Sequence, residues 1–335
     1  MHESNLRYAV AKADGDERPP SRRYVLITPC RDEAAYLPTT LRSVAAQSVP
    51  PSLWVIVDDG STDQTPEILA NAAQQHDFIL VVRREDRGER KVGRGVIDAF
   101  YAGLASVDLD EFDYLCKLDG DLELPPRYFE RLIEEMEREP RLGTFSGKMY
   151  LRRGPGRLVH EERGDENSCG PSKFYRVQCF REIDGFVREV GWDGIDGHVC
   201  RLNGWIARSE DGPDLGVVHL RPLGSSHKGI IYGRMRGGAG NWHIGMSLPY
   251  MLARTVYRLK DRPAAINSLA VLAGYLRAMV RNEPRYGDEA YRRYLRRFER
   301  SVLLRGKRRT VEALHREIIA ATRPIRRAVP ESARA

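Results

Sequence analysis

The residues in this chain that are best suited to chemistry are aspartates that directly follow apolar runs. Asp119 and Asp121 flank Gly120 at the end of the apolar segment 114–118. Two carboxylates this close repel each other unless a cation neutralises them, and Mg²⁺ and Mn²⁺ prefer oxygen ligands and bridge phosphate groups. The spacing therefore indicates a divalent cation that holds a phosphorylated ligand. An Asp-Gly turn with solvated carboxylates is the alternative interpretation.

A second acidic pair follows the apolar segment 53–57. There Asp58 and Asp59 precede Gly60 and Ser61. Carboxylates in such a place can accept hydrogen bonds from a ribose hydroxyl or from a base N–H. The alternative is that Asp63 or Ser61 only shapes a loop.

A third acidic pair, Asp193 and Asp196, lies in a glycine-rich stretch between Gly191 and Gly197. Two acids three residues apart lie on one face of a helix. A carboxylate presented in this way can act as a general base that removes the proton of a reacting hydroxyl. The alternative is an ordinary acidic helix start, because acids favour the first turn of a helix.

These three acidic groups need elements that bring them together. Short apolar runs alternate with segments of helical periodicity, which predicts an α/β fold with an open, mostly parallel sheet and helices on both faces. The predicted strands are 24–28, 53–57, 78–82, 114–118, 143–151 and 215–220, and helices are predicted to begin near 37, 66, 93 and 125. Thr65 is expected to cap the second helix. Ligands of such sheets bind at the carboxyl ends of the strands, where the first two acidic pairs both fall.

The sequence divides into three parts. Residues 1–21 are expected to be a flexible tail, 22–222 the α/β domain, and 223–335 a helical, basic C-terminal extension in which 237–240 is a flexible glycine-rich stretch. The net charge of +7 belongs to the segment 281–310, where eleven Lys and Arg stand against four acids and leave the same difference of +7. The remainder of the chain is therefore neutral.

The basic segment 281–310 suits an anionic surface. Between Tyr291 and Phe298, cationic and apolar residues interleave at helical spacing, so this helix could lie in a membrane interface with its apolar side down. The alternative is a helix that packs on the core and leaves its arginines in solvent. Nucleic acid is a less expected ligand, because the acidic motifs of the neutral remainder would repel phosphate.

Composition limits the class of protein. With 41% hydrophobic and 30% charged residues, the chain is expected to be globular rather than disordered. No apolar run reaches the roughly 20 residues of a membrane-spanning helix, and the N-terminal segment lacks the apolar core of a signal peptide, so we expect a cytoplasmic protein. The five scattered cysteines form no CxxC pair and are expected to be reduced and buried.

Several segments, in this order, resemble the motifs of the family 2 glycosyltransferases over residues 23–222. These segments are Ile27–Glu33 (ITPCRDE), Val57–Asp63 (VDDGSTD), Leu118–Asp121 (LDGD), Leu124–Glu130 (LPPRYFE), Phe174–Arg176 with Ile183–Phe186, and Gly191–Trp205. Two positions depart from the family pattern, since Arg31 stands where many members have Asn and Asp184 stands where Gly is more common.

The resemblance implies a GT-A fold, which is Rossmann-like, a nucleotide-diphosphate sugar donor and inversion at the anomeric carbon. The residues that it assigns to donor binding are Thr28, Pro29, Arg31, Glu33, Asp58, Asp59, Lys91, Asp119 and Asp121. Asp121 would be the main ligand of a divalent cation, Mg²⁺ or Mn²⁺, and His219 is a further candidate ligand. Asp119 is also a candidate, although it matches better a residue that faces the ribose or the donor sugar. Asp196 best matches the catalytic base, and Asp193 is the second candidate.

The C-terminal stretch 245–275 is similar to the tail of bacterial family 2 enzymes that build exopolysaccharide or lipopolysaccharide. We therefore expect an inverting, metal-dependent transferase that moves a sugar, with UDP as the commonest donor nucleotide, to a glycan or polyprenyl-linked acceptor in surface polysaccharide synthesis. Contact with the inner face of the cell membrane would involve 281–310. The alternatives are an inactive glycosyltransferase-like scaffold, a nucleic-acid binder that uses the basic helices, and a phosphatase with an aspartyl nucleophile. In such phosphatases the Asp-x-Asp motif usually follows the first strand, whereas here three predicted strands precede it.

Overall fold

An α/β sheet forms the centre of the computed structural model, which describes residues 22–86, 88, 93–154, 156–161, 166–221, 230–259 and 264–321. Its strands are β1 (Tyr24–Cys30), β2 (Leu53–Asp58), β3 (Ile79–Arg83), β4 (Tyr114–Leu118), β5 (Leu122–Glu123), β6 (Leu142–Ser146), β7 (Lys148–Arg152), β8 (Leu158–His160), β9 (Ser172–Arg176), β10 (Ile206–Ser209) and β11 (Gly216–His219). Its helices are α1 (Leu37–Ala45), α2 (Thr65–Gln75), α3 (Arg94–Leu104), α4 (Tyr128–Arg138), α5 (Val177–Glu182), α6 (Trp192–Leu202), α7 (Ile230–Ile244), α8 (Leu248–Arg258), α9 (Ala264–Val280), α10 (Glu289–Arg305) and α11 (Lys307–Ala320). The predicted tail 1–21 and the predicted domain boundary after 222 lie outside the described residues.

The larger sheet has seven strands in the order β10-β6-β9-β4-β1-β2-β3. Its strands run parallel except for β9, which is antiparallel to both β4 and β6. Buried apolar side chains cover both faces, one packed against α1, α2 and α4 and the other against α3, α5 and α6. Strands covered on both faces are continuous apolar runs in sequence, which is why β1, β2 and β4 were visible there. The predicted mostly parallel sheet with helices on both faces is confirmed.

The segment 143–151, which the sequence predicts as one strand, is two strands in two different sheets, β6 and β7. They separate at Gly147, where an added Cβ would lie 1.8 Å from the carbonyl oxygen of Leu215. The backbone of Leu215 therefore lies too close to residue 147 for any side chain there. The smaller sheet has the order β5-β11-β7-β8, and its pairing of His219 with Leu122 brings the end of β11 beside the end of β4. The sequence patterns predict neither β9 nor β10.

Two local expectations are wrong. Residues 237–240 are not a flexible stretch but lie inside α7, and the small residues there allow close packing of α9. An added Cβ at Gly238 would lie 1.9 Å from the carbonyl oxygen of Val271. Thr65 does not cap α2 with its side chain, because its Oγ1 accepts a hydrogen bond from the backbone N–H of Glu33 at 2.9 Å.

Helices α7 to α11 form the C-terminal extension that the sequence predicts. The apolar side of α10 packs against α6 and α7, since Tyr291 and Leu295 are 3% and 1% exposed and contact Ile195 and Ile244. Of the two alternatives for this helix, packing on the core is therefore the one observed, and its arginines lie on the exposed side. No helix among the described residues is long and apolar enough to cross a membrane. All five cysteines are free and buried, as expected.

Candidate active site

The loops that follow β1, β2 and β3 form one hydrogen-bonded unit at the carboxyl ends of these strands. The backbone N–H of Asp59 donates to the carbonyl oxygen of Cys30 at 2.9 Å. Arg31 donates from Nη1 to the carbonyl oxygen of Asp59 at 2.9 Å and pairs through Nη2 with Asp86 at 2.6 Å. Arg31, a predicted donor-binding residue, therefore joins the ends of three neighbouring strands.

The two acids of the second pair have different surroundings. Asp58 is 1% exposed, and its Oδ1 accepts a hydrogen bond from the backbone N–H of Ser61 at 2.8 Å. Its carboxylate therefore shapes the loop. The carboxylate of Asp59 instead accepts a hydrogen bond from Arg84 at 2.7 Å and remains 10% exposed at the edge of the sheet.

Thr28 and Pro29 point to opposite sides of β1, as neighbours in a strand do. The Thr28 side chain is fully buried, and its hydroxyl accepts a hydrogen bond from the indole N–H of Trp54 at 2.9 Å. The Thr28 hydroxyl is therefore engaged inside the core, whereas Pro29 is partly exposed. The predicted donor-binding residue Lys91 lies outside the described residues.

Asp121 lies at the centre of a buried charged cluster between the two sheets. It is 2% exposed, and its Oδ2 lies 3.4 Å from Nε2 of His219 and 2.6 Å from Nε of Arg221. The other ring nitrogen of the histidine, Nδ1, lies 3.2 Å from Glu161. Arg221 also pairs with Glu33. The structure thus brings together Asp121, His219 and Glu33, which are three of the predicted site residues.

The charges of this cluster shift the pKa values of its members. Burial lowers the pKa of His219, but the hydrogen bonds to Asp121 and Glu161 outweigh it and raise the pKa to about 9. Burial opposes ionisation of Asp121, yet His219 and Arg221 hold the pKa of this carboxyl below its usual value. Without a metal, Asp121 is therefore a carboxylate neutralised by two protein cations.

The cluster also has the chemistry of a two-ligand metal site. Among the described residues no group of three or more His, Cys, Asp or Glu side chains could hold a metal alone. Mg²⁺, however, commonly binds through one or two carboxylates together with substrate phosphates. Oδ2 of Asp121 and Nε2 of His219 lie 3.4 Å apart, while Glu161 contacts Nδ1 in the manner of a carboxylate that orients a metal-binding histidine. These residues fit a divalent cation that a bound diphosphate completes.

Asp119 has a different partner from Asp121. Its carboxylate pairs with the ammonium group of Lys117, and its side chain is 28% exposed. Its backbone N–H donates to the carbonyl oxygen of Pro171 at 2.8 Å, so the loop before β9 holds it at the end of β4. The resemblance implies different roles for the two aspartates, and in the structure they have different partners.

Asp196, the first candidate for the catalytic base, is enclosed by protein. Its side chain is fully buried, and its Oδ2 pairs with Lys173 and accepts a hydrogen bond from the hydroxyl of Tyr175. Its Oδ1 accepts the backbone N–H of Gly197 at 2.7 Å. Burial and the charge of Asp196 raise the pKa of Tyr175 well above its ordinary value, so this hydroxyl stays protonated as a donor.

Asp193, the second candidate, lies in the first turn of the same helix, α6, and is only partly buried. Its carboxylate lies against Gly170, where an added Cβ would be 3.1 Å from Oδ2. In the part of the chain that the structure describes, no group donates a hydrogen bond to this carboxylate. Asp193 is therefore the less constrained of the two acids.

A cavity of about 470 Å³ opens beside His219, between α1, β7 and β11. The residues that line it are Thr39, Arg42, Glu123, Leu151, Arg152, Arg153, His219 and Leu220. Three of these side chains are arginines, His219 is protonated near neutral pH, and one side chain is acidic, so the cavity favours an anionic ligand.

The motifs missed four charged residues of this region: Glu161, Arg221, Lys117 and Lys173. Of the two lysines, Lys117 had a signal, because it interrupts the otherwise apolar run YLCKL. A lysine buried in a strand requires a partner. Glu161 and Arg221 carried no signal, since their contacts depend on how the smaller sheet packs against the larger one.

Residues 25–185 match the family described as "Glycosyl transferase family 2". A poly-beta-1,6-N-acetyl-D-glucosamine synthase from Staphylococcus epidermidis is 28% identical over 123 residues, which cover 37% of this chain and 27% of that protein. The synthase of the same name from Staphylococcus aureus is 26% identical over 148 residues, covering 44% of this chain and 33% of that protein. The alignments thus span a third or less of these relatives.

Among solved structures, S. aureus TarS in complex with UDP-GlcNAc superimposes with a TM-score of 0.50 over 88% of this chain and 90% of that chain. The two sequences are 14% identical. This similarity is one of fold, and it extends across both the α/β domain and most of the helical extension.

Proposed function

We propose that the chain is a member of glycosyl transferase family 2, whose model residues 25–185 match, and that it moves a sugar from a nucleotide-diphosphate sugar to a hydroxyl of a glycan or polyprenyl-linked acceptor. The product would be part of a bacterial surface polysaccharide, in keeping with the names of the relatives. The observation that carries the proposal is the buried cluster of Asp121, His219 and Arg221 just after the end of β4.

The donor would bind along the carboxyl ends of β1, β2 and β4. Arg31 and Asp59 support a nucleoside site there, because their contacts order the loops after three strands. Pro29 and Glu33 belong to the same edge, and Asp58 contributes by shaping its loop. The Thr28 hydroxyl is engaged by Trp54, so we assign Thr28 no side-chain contact with the donor. Lys91 stays a prediction for the diphosphate.

Asp121 and His219 would hold a divalent cation, Mg²⁺ or Mn²⁺, with Asp119 placed beside the donor sugar. The bound ion would supply stabilisation of the negative charge that develops on the leaving diphosphate. Glu161 orients the imidazole through Nδ1 and favours the presentation of Nε2. Arg221 lies against the same carboxylate and could contribute a second positive charge to the leaving group.

For the base we reverse the order that the sequence suggested and propose Asp193. Its partly buried carboxylate is available to a ligand, whereas Asp196 is engaged by Lys173 and Tyr175. Asp193 would take the proton of the acceptor hydroxyl as that oxygen bonds to the anomeric carbon. The bond from this carbon to the diphosphate oxygen would break, with its electron pair leaving on that oxygen. Because the acceptor oxygen would attack from the opposite face, the product would have the inverted configuration.

The proposal is tested by a thermal-shift screen of nucleotide sugars with Mn²⁺, Mg²⁺ or EDTA, beginning with UDP-N-acetylglucosamine because of the relatives' names. A true donor at a hundred times its Kd should stabilise the folded protein by about 2.7 kcal/mol, and only with the metal. The Asp121→Asn variant should lose this shift, whereas Asp110→Asn, an exposed acid paired with Arg181, should keep it. No shift with any nucleotide sugar would contradict the proposed function.

We also propose that the exposed arginines of α10 contact an anionic membrane surface, which would bring the enzyme to a polyprenyl-linked acceptor. Such contact would be electrostatic, because the apolar side of this helix is covered by α6 and α7.

A further inference from the structure

Two lysines lie directly opposite each other in the larger sheet, and both are buried. Lys117 on β4 pairs in antiparallel register with Lys173 on β9, so the two side chains leave the same face. They are 2% and 0% exposed. Like charges that face each other across strands destabilise a sheet, and a buried ammonium group is costly unless it is paired. Such an arrangement therefore needs close anionic partners.

Each lysine has as its partner one of the acidic motifs of the candidate active site. The Nζ of Lys117 pairs with Asp119 and donates to the carbonyl oxygen of Gly170 at 3.2 Å. The Nζ of Lys173 pairs with Asp196 and donates to the carbonyl oxygen of Asp193 at 3.2 Å. One lysine thus contacts the donor side of the site, and the other contacts the first turn of the helix that carries the proposed base.

A tryptophan and a glycine connect the two halves. The ring of Trp192, the first residue of α6, lies 5.2 Å from Nζ of Lys117 and 5.8 Å from Nζ of Lys173, which is within the range of cation–π attraction. Gly170, whose carbonyl accepts from Lys117, lies against the carboxylate of Asp193. Asp119 and Asp193 are therefore attached to one rigid group of side chains.

We propose that Lys117 and Lys173 are positioning residues that fix the distance between Asp119 on the donor side and Asp193 on the acceptor side. The inference rests on the proposed function, because it needs Asp193 to act on the acceptor. A purely stabilising role does not require charge, since a buried ion pair can be replaced by packed apolar residues without loss of stability. Here the charged partners belong to the candidate site itself.

The chain offers a matched control in a third buried lysine. Lys148, at the start of β7, is 3% exposed and donates to the hydroxyl of Ser209 on β10 at 3.0 Å. Neither Lys148 nor Ser209 belongs to the candidate site. Lys148→Met should therefore reproduce the cost of removing a buried ammonium group without moving Asp119 or α6.

The experiment compares Lys117→Met, Lys173→Met and Lys148→Met in the full chain, at a temperature at which all three are folded. Lys173→Met should lower kcat for transfer by about 100-fold, the effect of a displacement near 1 Å, with little change in donor affinity. Lys117→Met should raise the KM for the donor as well, because Asp119 loses its partner. Lys148→Met should retain kcat within about twofold, a change below 0.5 kcal/mol in barrier height.

A second measurement does not depend on activity. Hydrogen exchange of the backbone amides of residues 192–197 should become faster in Lys173→Met than in Lys148→Met, because the first turn of α6 loses its contact with β9. Equal exchange and equal kcat in these two variants would overturn the proposal. A wild-type chain that binds no nucleotide sugar would contradict the proposed function instead, and the exchange result would still decide whether Lys173 holds α6.

Discussion

Asp193 and Asp196 are three residues apart on one helix, yet only the carboxylate of Asp193 is accessible to a ligand. Asp196 is surrounded by Lys173, Tyr175 and the backbone of Gly197, so its carboxylate has no free side for a substrate. Asp193 keeps partial exposure. Sequence spacing identified the pair but could not rank its members, because the partners of Asp196 come from β9, which the sequence patterns did not predict.

Substitution of each acid by asparagine separates catalysis from stability. Asp193→Asn should lower kcat by about 10²- to 10⁴-fold, the usual contribution of a general base, with nearly unchanged unfolding free energy. Asp196→Asn should instead cost about 3–5 kcal/mol of stability, because it leaves the Lys173 ammonium group buried without its counter-charge. Urea unfolding and initial rates measure the two effects. A stable, inactive Asp196→Asn protein would return the base to Asp196.

His219 should make the stability of the metal-free protein depend on pH. Its pKa rises from the ordinary value of 6.5 to about 9, so the folded state holds the proton more tightly than the unfolded state does. The resulting stabilisation, on the order of 3 kcal/mol, is complete below pH 6.5 and disappears as the pH rises through 9. The measurement is urea unfolding in EDTA at pH 6, 7.5 and 9, for wild type and His219→Gln.

Only the difference between these two proteins bears on His219, since other groups titrate in the same range and cancel. Wild type should lose its advantage over His219→Gln between pH 6.5 and 9. Parallel profiles for the two proteins would contradict the protonated state that the contacts with Asp121 and Glu161 imply.

At the scale of elements, the sequence predicted what local patterns determine. The strands β1, β2 and β4 are apolar runs covered on both faces, β3 is an apolar run at the edge of the sheet, and the helices between them have clear periodicity. β9 was missed because Ser172, Lys173 and Arg176 make three of its five residues polar or charged, and the buried lysine has its partners on α6. The break at Gly147 and the helical state of 237–240 depend on close approach of distant backbone, which local pattern does not encode.

The glycines between α7 and α9 give a direct test of this close packing. An added Cβ at Gly238 would lie 1.9 Å from the carbonyl oxygen of Val271, and one at Gly274 would lie 1.9 Å from that of Met235. Gly238→Ala and Gly274→Ala should each destabilise the extension by about 1–3 kcal/mol, because the helices must move apart. Calorimetric or urea unfolding measures this change.

Gly237 provides the matched control, since it lies in the same helix and an added Cβ there meets nothing within 4 Å. Gly237→Ala should stabilise the helix by about 0.8–1 kcal/mol through propensity alone. Equal effects at Gly237 and Gly238 would mean that these glycines serve local flexibility, as the sequence first suggested.

At the scale of the whole molecule, the charge distribution and the packing of the extension are linked. Tyr291, Leu295 and Phe298 of α10 pack against α6, the helix that carries Asp193. The basic segment therefore stabilises the helix on which the proposed base lies. Sequence composition located the excess charge correctly, but helical periodicity alone could not say whether protein or membrane covers the apolar side. The exposed arginines remain as the part of the extension that is open to a partner.

Replacement of these arginines tests the membrane contact. The variant Arg292→Gln, Arg296→Gln, Arg297→Gln and Arg300→Gln removes four exposed charges from α10, each worth about 1 kcal/mol at an anionic surface. Wild type should co-sediment with vesicles that contain anionic lipid at low salt, and the variant should not. Binding should weaken as added salt shortens the Debye length below about 10 Å.

A control variant with the same net charge distinguishes a specific face from general basicity. It replaces four exposed arginines of the α/β domain by glutamine, namely Arg22, Arg127, Arg157 and Arg188. If binding follows the α10 face, this control should co-sediment like wild type, because its charges lie outside the extension. Equal loss in both variants would contradict a membrane-facing α10, and equal binding of wild type to neutral vesicles would point to an apolar contact that the covered side of α10 cannot make. Stronger, steeply salt-dependent binding to single-stranded RNA than to anionic vesicles would assign the arginine face to nucleic acid instead.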